Sequence, residues 1–294
     1  MDMNLQKYVA LVKTVELGSF TQAADVLNYS QSGISRMIND LEKEAGLILL
    51  ERNRAGLRLT SEGLSIYPHI KKLTEDYELL ENQINALNGL EDGLISIGTF
   101  SSVATHWLPT IIKNFQQDYP KIEFELLLGD YSEIEKWIIE GRVDFGFVRL
   151  PTVTQMETEF LANDDHMMIL PSNHRLANSK YPYFPMKELA TEVFILLEKD
   201  GDSDVLDQFA QMGVQPNIRF RTWDDYAVMA MVESGLGISL LPRLILQRIP
   251  YQVVIKPLEK PILRKIGLAY KNKNRLTLAS KTFFNYIDVA SLHP

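Results

Sequence analysis

The sequence predicts an α/β protein headed by a small helical module with a β-hairpin, and three patterns predict it. Residues 4–45 hold three short helical periodicities, residues 61–87 hold one long helix with a narrow apolar stripe, and residues beyond 93 alternate short apolar runs with helical patterns, as βαβ units do. A chain of 294 residues, 46% hydrophobic and 23% charged, is long enough for two or three packed domains and too apolar for disorder. It has no cysteine, which excludes disulfides, thiolate metal sites and cysteine nucleophiles. With neither a leader-like N-terminus nor an apolar run of about 18 residues, a soluble cytoplasmic protein without membrane association is expected. The formal charge of -8 argues against indiscriminate nucleic-acid binding, but it describes an average field and leaves local surfaces open.

Leu5, Tyr8, Val9, Val12 and Val15 recur at helical spacing, which predicts a helix over 4–17 stopped by Gly18. Thr21 is expected to cap a second helix with Ala23, Ala24 and Leu27 inside, and Ser30 a third that runs to about Ala45. Leu49-Leu50-Glu51-Arg52 and Leu57-Arg58-Leu59-Thr60 alternate around Arg54-Ala55-Gly56, the pattern of a small hairpin or wing. In the long helix, Ile70, Leu73, Tyr77, Leu80, Ile84 and Leu87 step by three and four. A second chain would bury such a heptad seam; packing on the helix's own chain is the alternative. Pro68 should kink or weaken the start of this helix, and residues 88–93 read as a hinge. Strands are then expected at 94–98, 122–128, 145–148, 166–170, 193–197, 218–220, 238–241 and 265–269. Helices are expected at 104–118, 132–140, 203–212, 224–234 and 276–289, giving two α/β lobes.

The third helix separates its faces: Ile34, Ile38 and Leu41 on one side, Ser32, Ser35, Arg36 and Asn39 on the other. A helix entering a major groove needs short side chains near its N-terminus and Arg, Asn or Gln to bridge to base edges. Gln31, Ser32, Ser35 and Arg36 meet that need, and the helix start at Ser30 suits a phosphate. Many solvated helix faces are polar too. What separates the two cases is the wing, where Arg52, Arg54 and Arg58 face only Glu51. Residues 1–65 nevertheless hold seven Lys or Arg against eight Asp or Glu, so salt-sensitive binding that relies on a dimer is expected.

These residues resemble the LysR-type transcriptional regulators. Ser19-Phe20-Thr21-Gln22-Ala23-Ala24 through Ser30-Gln31-Ser32-Gly33-Ile34-Ser35-Arg36 is similar to that family's helix-turn-helix. Leu49 to Gly63 is similar to its wing and linker-helix start. Gly141-Arg142-Val143-Asp144-Phe145-Gly146-Phe147 and Val232 to Pro242 resemble pieces of its effector domain. The chain departs from the family at Ser32-Gly33, where proline and a small residue are common, and at Pro68 in the linker. The resemblance implies a winged helix-turn-helix over 1–60, a dimerising linker helix and hinge over 61–92, and an effector domain over 93–294. That domain would have a two-lobed fold like periplasmic binding proteins, with lobe I at about 93–161 and 266–294 and lobe II at about 162–265. It further implies binding to double-stranded DNA, a homodimer or dimer of dimers, and contact with RNA polymerase. Thr21, Ser30, Gln31, Ser32, Ser35, Arg36, Asn39, Arg52, Arg54 and Arg58 are the expected DNA contacts.

In the second region, Thr99, Phe100, Ser101 and Ser102 fall between a strand and a helix, where hydroxyls and free N–H groups can receive a carboxylate. Arg149 follows another strand and suits either a carboxylate ligand or an ion pair between lobes, while Thr222 and Trp223 occupy a matching junction in the second lobe. A small organic acid between the lobes is therefore the expected effector. No catalytic residues, metal or cofactor are expected. Nucleotide, zinc-protease and hydrolase motifs are missing, and Gly235-Leu236-Gly237 is half a dinucleotide fingerprint. Asp200-Gly201-Asp202-Ser203-Asp204 opens like a calcium loop but continues with Val205 and Gln211 where glycine and glutamate are required. His166 and His174 lack further ligands at metal spacing. The rival from another class is a cytoplasmic solute-binding or enzymatic α/β protein whose N-terminal helices are an interaction module.

Overall fold

The computed structural model describes residues 4–53, 56–88, 93–198 and 204–288. Three helices come first: α1 (Leu5–Leu17), α2 (Phe20–Leu27) and α3 (Gln31–Ala45). Asn4, Ser19 and Ser30 cap them by accepting from Gln6, Gln22 and Gly33 N–H, and Gly18, Asn28 and Gly46 end them in the left-handed region. The cap of α2 is thus Ser19 and not Thr21, which lies inside the first turn; the hydroxyl two positions earlier is the one that reaches Gln22 N–H. Tyr8, Leu11, Ala23, Ala24, Ile34, Ile38 and Leu41 form the core of this unit. The two fully buried alanines let α2 lie close against its neighbours.

Strands β1 (Leu50–Asn53) and β2 (Gly56–Leu59) pair antiparallel with Glu51 opposite Arg58. The helix α4 (Ser61–Asn88) follows and continues through Pro68. Pro68 has no N–H to give to the Leu64 carbonyl one turn earlier. Gly63 is required where α4 crosses the hairpin, since a Cβ at that position would stand 2.2 Å from the Leu49 carbonyl oxygen. Residues 89–92 of the hinge expected at 88–93, and 200–203 of the acidic turn expected at 200–204, lie outside the described residues.

A nine-stranded sheet runs through the remainder of the described residues in the order β4-β3-β5-β11-β6-β9-β7-β8, with β10 also on β6. Its first part holds β3 (Gly93–Thr99), β4 (Ile122–Leu128) and β5 (Phe145–Leu150), with α5 (Ser101–His106), α6 (Leu108–Asp118) and α7 (Tyr131–Glu140) between them. The single helix expected over 104–118 is two, because the chain breaks at Trp107 and Pro109 starts the second, where a missing N–H costs nothing. β6 (Glu157–Pro171) is also longer than the strand expected at 166–170. Over Glu157–Asp165 it pairs with β11 (Leu263–Tyr270), and from His166 onward with β9 (Ile238–Pro242) and β10 (Val253–Pro257). One strand therefore belongs to both lobes. The second lobe adds β7 (Val193–Leu197), α8 (Asp204–Gln211), β8 (Asn217–Thr222) and α9 (Asp225–Glu233). The chain then returns to the first lobe, where α10 (Leu278–Phe284) is shorter than expected because a 3-10 turn at Lys273–Arg275 and the Thr277 cap precede it. Trp107, Phe115, Phe145, Phe147 and Phe283 are fully enclosed in the first lobe, Phe184, Phe194 and Phe209 in the second.

Candidate functional site

In α3 the apolar stripe is spent on the core, with Ile34, Ile38 and Leu41 at most 2% exposed. The opposite face is open: Ser30, Gln31, Ser32, Arg36 and Asn39 are exposed and Ser35 half-buried, with Thr21 exposed on α2 beside them. The Arg36 side chain is 86% exposed and its nearest carboxylate, Asp40, is 4.0 Å away. Ser30 Oγ accepts from Gly33 N–H at 3.1 Å and lies 3.0 Å from Ser32 Oγ, which fixes the first turn. A Cβ on residue 33 would sit 3.2 Å from that same Oγ, so the glycine at this position leaves the cap unhindered.

The wing is tied to this helix. Glu42 Oε1 accepts from Leu49 N–H at 2.7 Å and Leu50 N–H at 3.0 Å, and Thr60 donates to the Ile48 carbonyl at 2.6 Å. Arg58 is exposed on β2. The side chain of Arg52 and all of Arg54 lie outside the described residues. Along α4, Leu73, Leu80 and Ile84 are 38%, 54% and 47% exposed and Tyr77 is half-buried. Ile70 departs from the expected seam: it is 6% exposed and packs into the core of its own N-terminal unit. The side chain of Leu87 lies outside the described residues.

Between the lobes is a cleft of about 620 Å³. Phe100, Ser101, Ser102 and Arg149 line it from the first lobe and Trp223 from the second, as expected. Thr99 and Thr222 do not. Thr99 is fully buried at the strand end with its hydroxyl 3.4 Å from the Phe100 carbonyl oxygen, and Thr222 Oγ1 accepts from Asp224 N–H. Arg149 stands 5.3 Å over the Tyr131 ring. The residue that organises the cleft is Arg264. Its guanidinium donates to Asp164 at 2.9 Å, Tyr131 Oη at 3.0 Å and Ser102 Oγ at 2.6 Å, and stacks 4.8 Å over Phe100. Asp164 also accepts from Leu244 N–H at 3.0 Å, so both buried charges are compensated.

Two further groups face this space. Burial, with the Arg264 and Arg149 charges added, pushes His166 down to about 3, so the imidazole is neutral at pH 7. Its Nδ1 is 3.3 Å from the Ile262 carbonyl oxygen. Asp225, at the start of α9, is hydrogen-bonded to Ser101 of the other lobe, and burial pushes it up to about 6 against the pull of Arg264. The remaining acids of the lining are engaged: Glu198 pairs with Arg221, Asp224 caps α9 through Ala227 N–H, and Asp130 and Glu133 form the capping box of α7. Arg264, Asp164 and Asp225 were not among the residues singled out from the sequence. The alternation Leu263-Arg264-Lys265-Ile266 carries the signal, since it places Arg264 on the inward side with Ile266.

A capped helix with an open polar face, joined to a cleft between two α/β lobes, is the arrangement of a transcription regulator that answers to a small molecule. Comparison with known proteins agrees. Residues 5–64 match the model of the bacterial regulatory helix-turn-helix protein, lysR family, and residues 88–290 match the LysR substrate binding domain. The chain belongs to the LysR family of transcriptional regulators. It is 32% identical over 284 residues to the uncharacterized HTH-type transcriptional regulator YvbU of Bacillus subtilis (strain 168), covering 96% of each chain. It is 31% identical to the probable HTH-type transcriptional regulator LrrA of Synechococcus elongatus, over 91% of this chain and 90% of LrrA. Among solved structures, HinK, a LysR family transcriptional regulator from Pseudomonas aeruginosa, superposes with a TM-score of 0.60 at 28% identity over 96% of both chains. A full-length OxyR variant from the same organism shares the fold, with a TM-score of 0.71 at 19% identity over 97% of both chains. Regulators of this family bind DNA, form oligomers and carry a small-molecule effector domain; they are not enzymes, which removes the solute-binding or enzymatic rival. No helix of the described residues is long and apolar enough to cross a membrane.

Proposed function

We propose that this regulator works in the cytoplasm as a homodimer or dimer of dimers, reads its operator through α3 and the wing, and responds to a small organic acid bound between the lobes. The open polar face of α3, braced from behind by Ile34, Ile38 and Leu41, carries the DNA half of this reading. Gln31, Ser32, Ser35 and Arg36 reach base edges, Ser30 and Thr21 the backbone, and Arg52, Arg54 and Arg58 the phosphates beside them. Leu73, Tyr77, Leu80, Ile84 and Leu87 pair the linkers of two chains. The cleft supports the acid. Its lining acids already hold protein partners, and the guanidinium of Arg149 lines the space from one lobe with Trp223 opposite. Lobe closure on the ligand changes the spacing of the DNA-binding units and, through it, contact with RNA polymerase.

Selection of bound fragments from genomic DNA, with and without a panel of carboxylic acids, tests both halves. The expected outcome is an operator of two half-sites whose protection changes with one acid. Arg36→Ala should lose about 1–3 kcal/mol of operator affinity while remaining folded. Enrichment of no fragment would remove the DNA-binding assignment, and an uncharged best ligand would remove the acid.

A further inference from the structure

We infer that the junction of α1, α4 and the first lobe holds a second ligand, a small multivalent oxyanion of the phosphate or pyrophosphate kind, gripped by Lys13, Lys71 and Lys271. The junction contains a cavity of about 340 Å³ that shares no lining residue with the inter-lobe cleft. Its walls come from four separate stretches of chain, three of which supply a lysine. Lys13 belongs to the first helix of the DNA-binding unit, Lys71 to the linker helix, and Lys271 follows β11 of the effector domain.

All three ammonium groups converge on one carboxylate. Glu16 lies 3.6 Å from Lys13 Nζ, 3.3 Å from Lys71 Nζ and 3.8 Å from Lys271 Nζ, with its side chain 16% exposed. Lys13 and Lys271 each donate once more, to the Glu140 and Ile139 carbonyls at 3.3 and 3.2 Å. The other acids of the lining are occupied: Glu75 pairs with Arg275, and Asp144 accepts from Ser96 N–H at 3.0 Å and Ser280 Oγ at 3.1 Å. Over the whole lining four cationic side chains, Lys13, Lys71, Lys271 and Arg275, face three carboxylates, Glu16, Glu75 and Asp144, which leaves a positive excess with the three lysines gathered on Glu16. The crowding registers on Lys271, whose pKa is lowered by burial and by Lys71, Lys13 and Arg275 against the opposing pull of Glu16.

Each ammonium group offers three N–H donors, more than these contacts use. Chloride would supply charge without directed acceptors. An oxyanion supplies both, and its several oxygens can serve three lysines at once. Glu16 then acts as a competitor for the same donors, and the bound anion ties the DNA-binding unit to the effector domain within one chain.

The test titrates the full-length protein with sodium phosphate and with sodium pyrophosphate at constant ionic strength held by chloride, following heat and thermal unfolding. Saturable binding is expected for at least one of the two anions. Lys71→Met with Lys271→Met should weaken it at least tenfold, Glu16→Gln should tighten it several-fold, and Arg149→Ala should leave it unchanged. Absence of saturable binding overturns the proposal, as does equal affinity in the parent and the lysine variant. Should the lysine variant fail to fold, Glu16→Gln decides alone, because binding no tighter than in the parent also overturns it.

Discussion

Arg264 keeps its charge where a lone guanidinium could not remain, with side-chain exposures of 7% for it and 5% for Asp164. Breaking such a pair leaves an uncompensated buried charge, so Arg264→Met or Asp164→Leu alone should cost about 3–5 kcal/mol in chemical denaturation. The two together should cost clearly less than the sum of the singles, because neither charge is then stranded. Asp225 gives a pH signature. Its carboxyl is pushed up to about 6 by burial, so the folded state holds this proton more tightly than the unfolded chain does. Its contribution is unfavourable above about pH 6 and disappears as pH falls through the window between about 6 and the ordinary carboxylate value near 4. Asp225→Asn should accordingly raise the melting temperature at pH 7, by an amount equivalent to at most about 3 kcal/mol and reduced by the cleft's access to water, and change nothing at pH 4. A variant no more stable at pH 7 than at pH 4, relative to the parent, would remove this assignment. These pairings were out of reach of the sequence for a plain reason: Arg264 and Asp164 are 100 residues apart, and periodicity reports which face a side chain takes, never which partner it meets there.

The local elements were far more legible. The cap at Ser30 and the stop at Gly18 are chemistry written into neighbouring residues, and the hairpin follows from alternation around a turn, whereas the α2 cap falls on Ser19 and not on the expected Thr21. Two misjudgements share one cause, a local signal weighed against the wrong background. Pro109 already announced a new helix start after Trp107. The polar run Asn163-Asp164-Asp165 resembles a loop, yet it lies within β6 because Arg264 and Leu244 N–H satisfy the buried carboxylate. The linker helix shows the same limit, since the heptad count cannot say that Ile70 turns inward while Leu73, Leu80 and Ile84 stay open. Charges on the open part should split the pairing of chains. Leu73→Glu with Leu80→Glu is expected to lower the oligomeric state in sedimentation and to abolish footprinting of paired half-sites, while circular dichroism stays that of the parent. Normal protection of both half-sites would show that α4 packs only within its own chain.

Domain order and function were readable because motifs that resemble one family recur over nearly the whole chain; the placement of one domain against another was not, because Glu16 and Lys271 meet across 255 residues. If the proposed acid occupies the cleft, it should raise the melting temperature of the parent and leave that of Arg149→Ala unchanged in a thermal-shift screen, and an equal shift in both would exclude Arg149 as its anchor. How such closure would be felt at the DNA follows from where α4 is held. The helix is 28 residues, about 42 Å, long, and Glu75, which grips Arg275 of the effector domain, falls near its midpoint. A rod pinned at its centre behaves as a seesaw. A tilt of about 5° about that pivot carries each end about 2 Å, in opposite directions, within the range of helix shifts that switch other proteins. The end beside the wing and the end beside the hinge would thus move in antiphase, so that a few degrees of rocking in the effector domain become a sideways step of the recognition helix along the duplex.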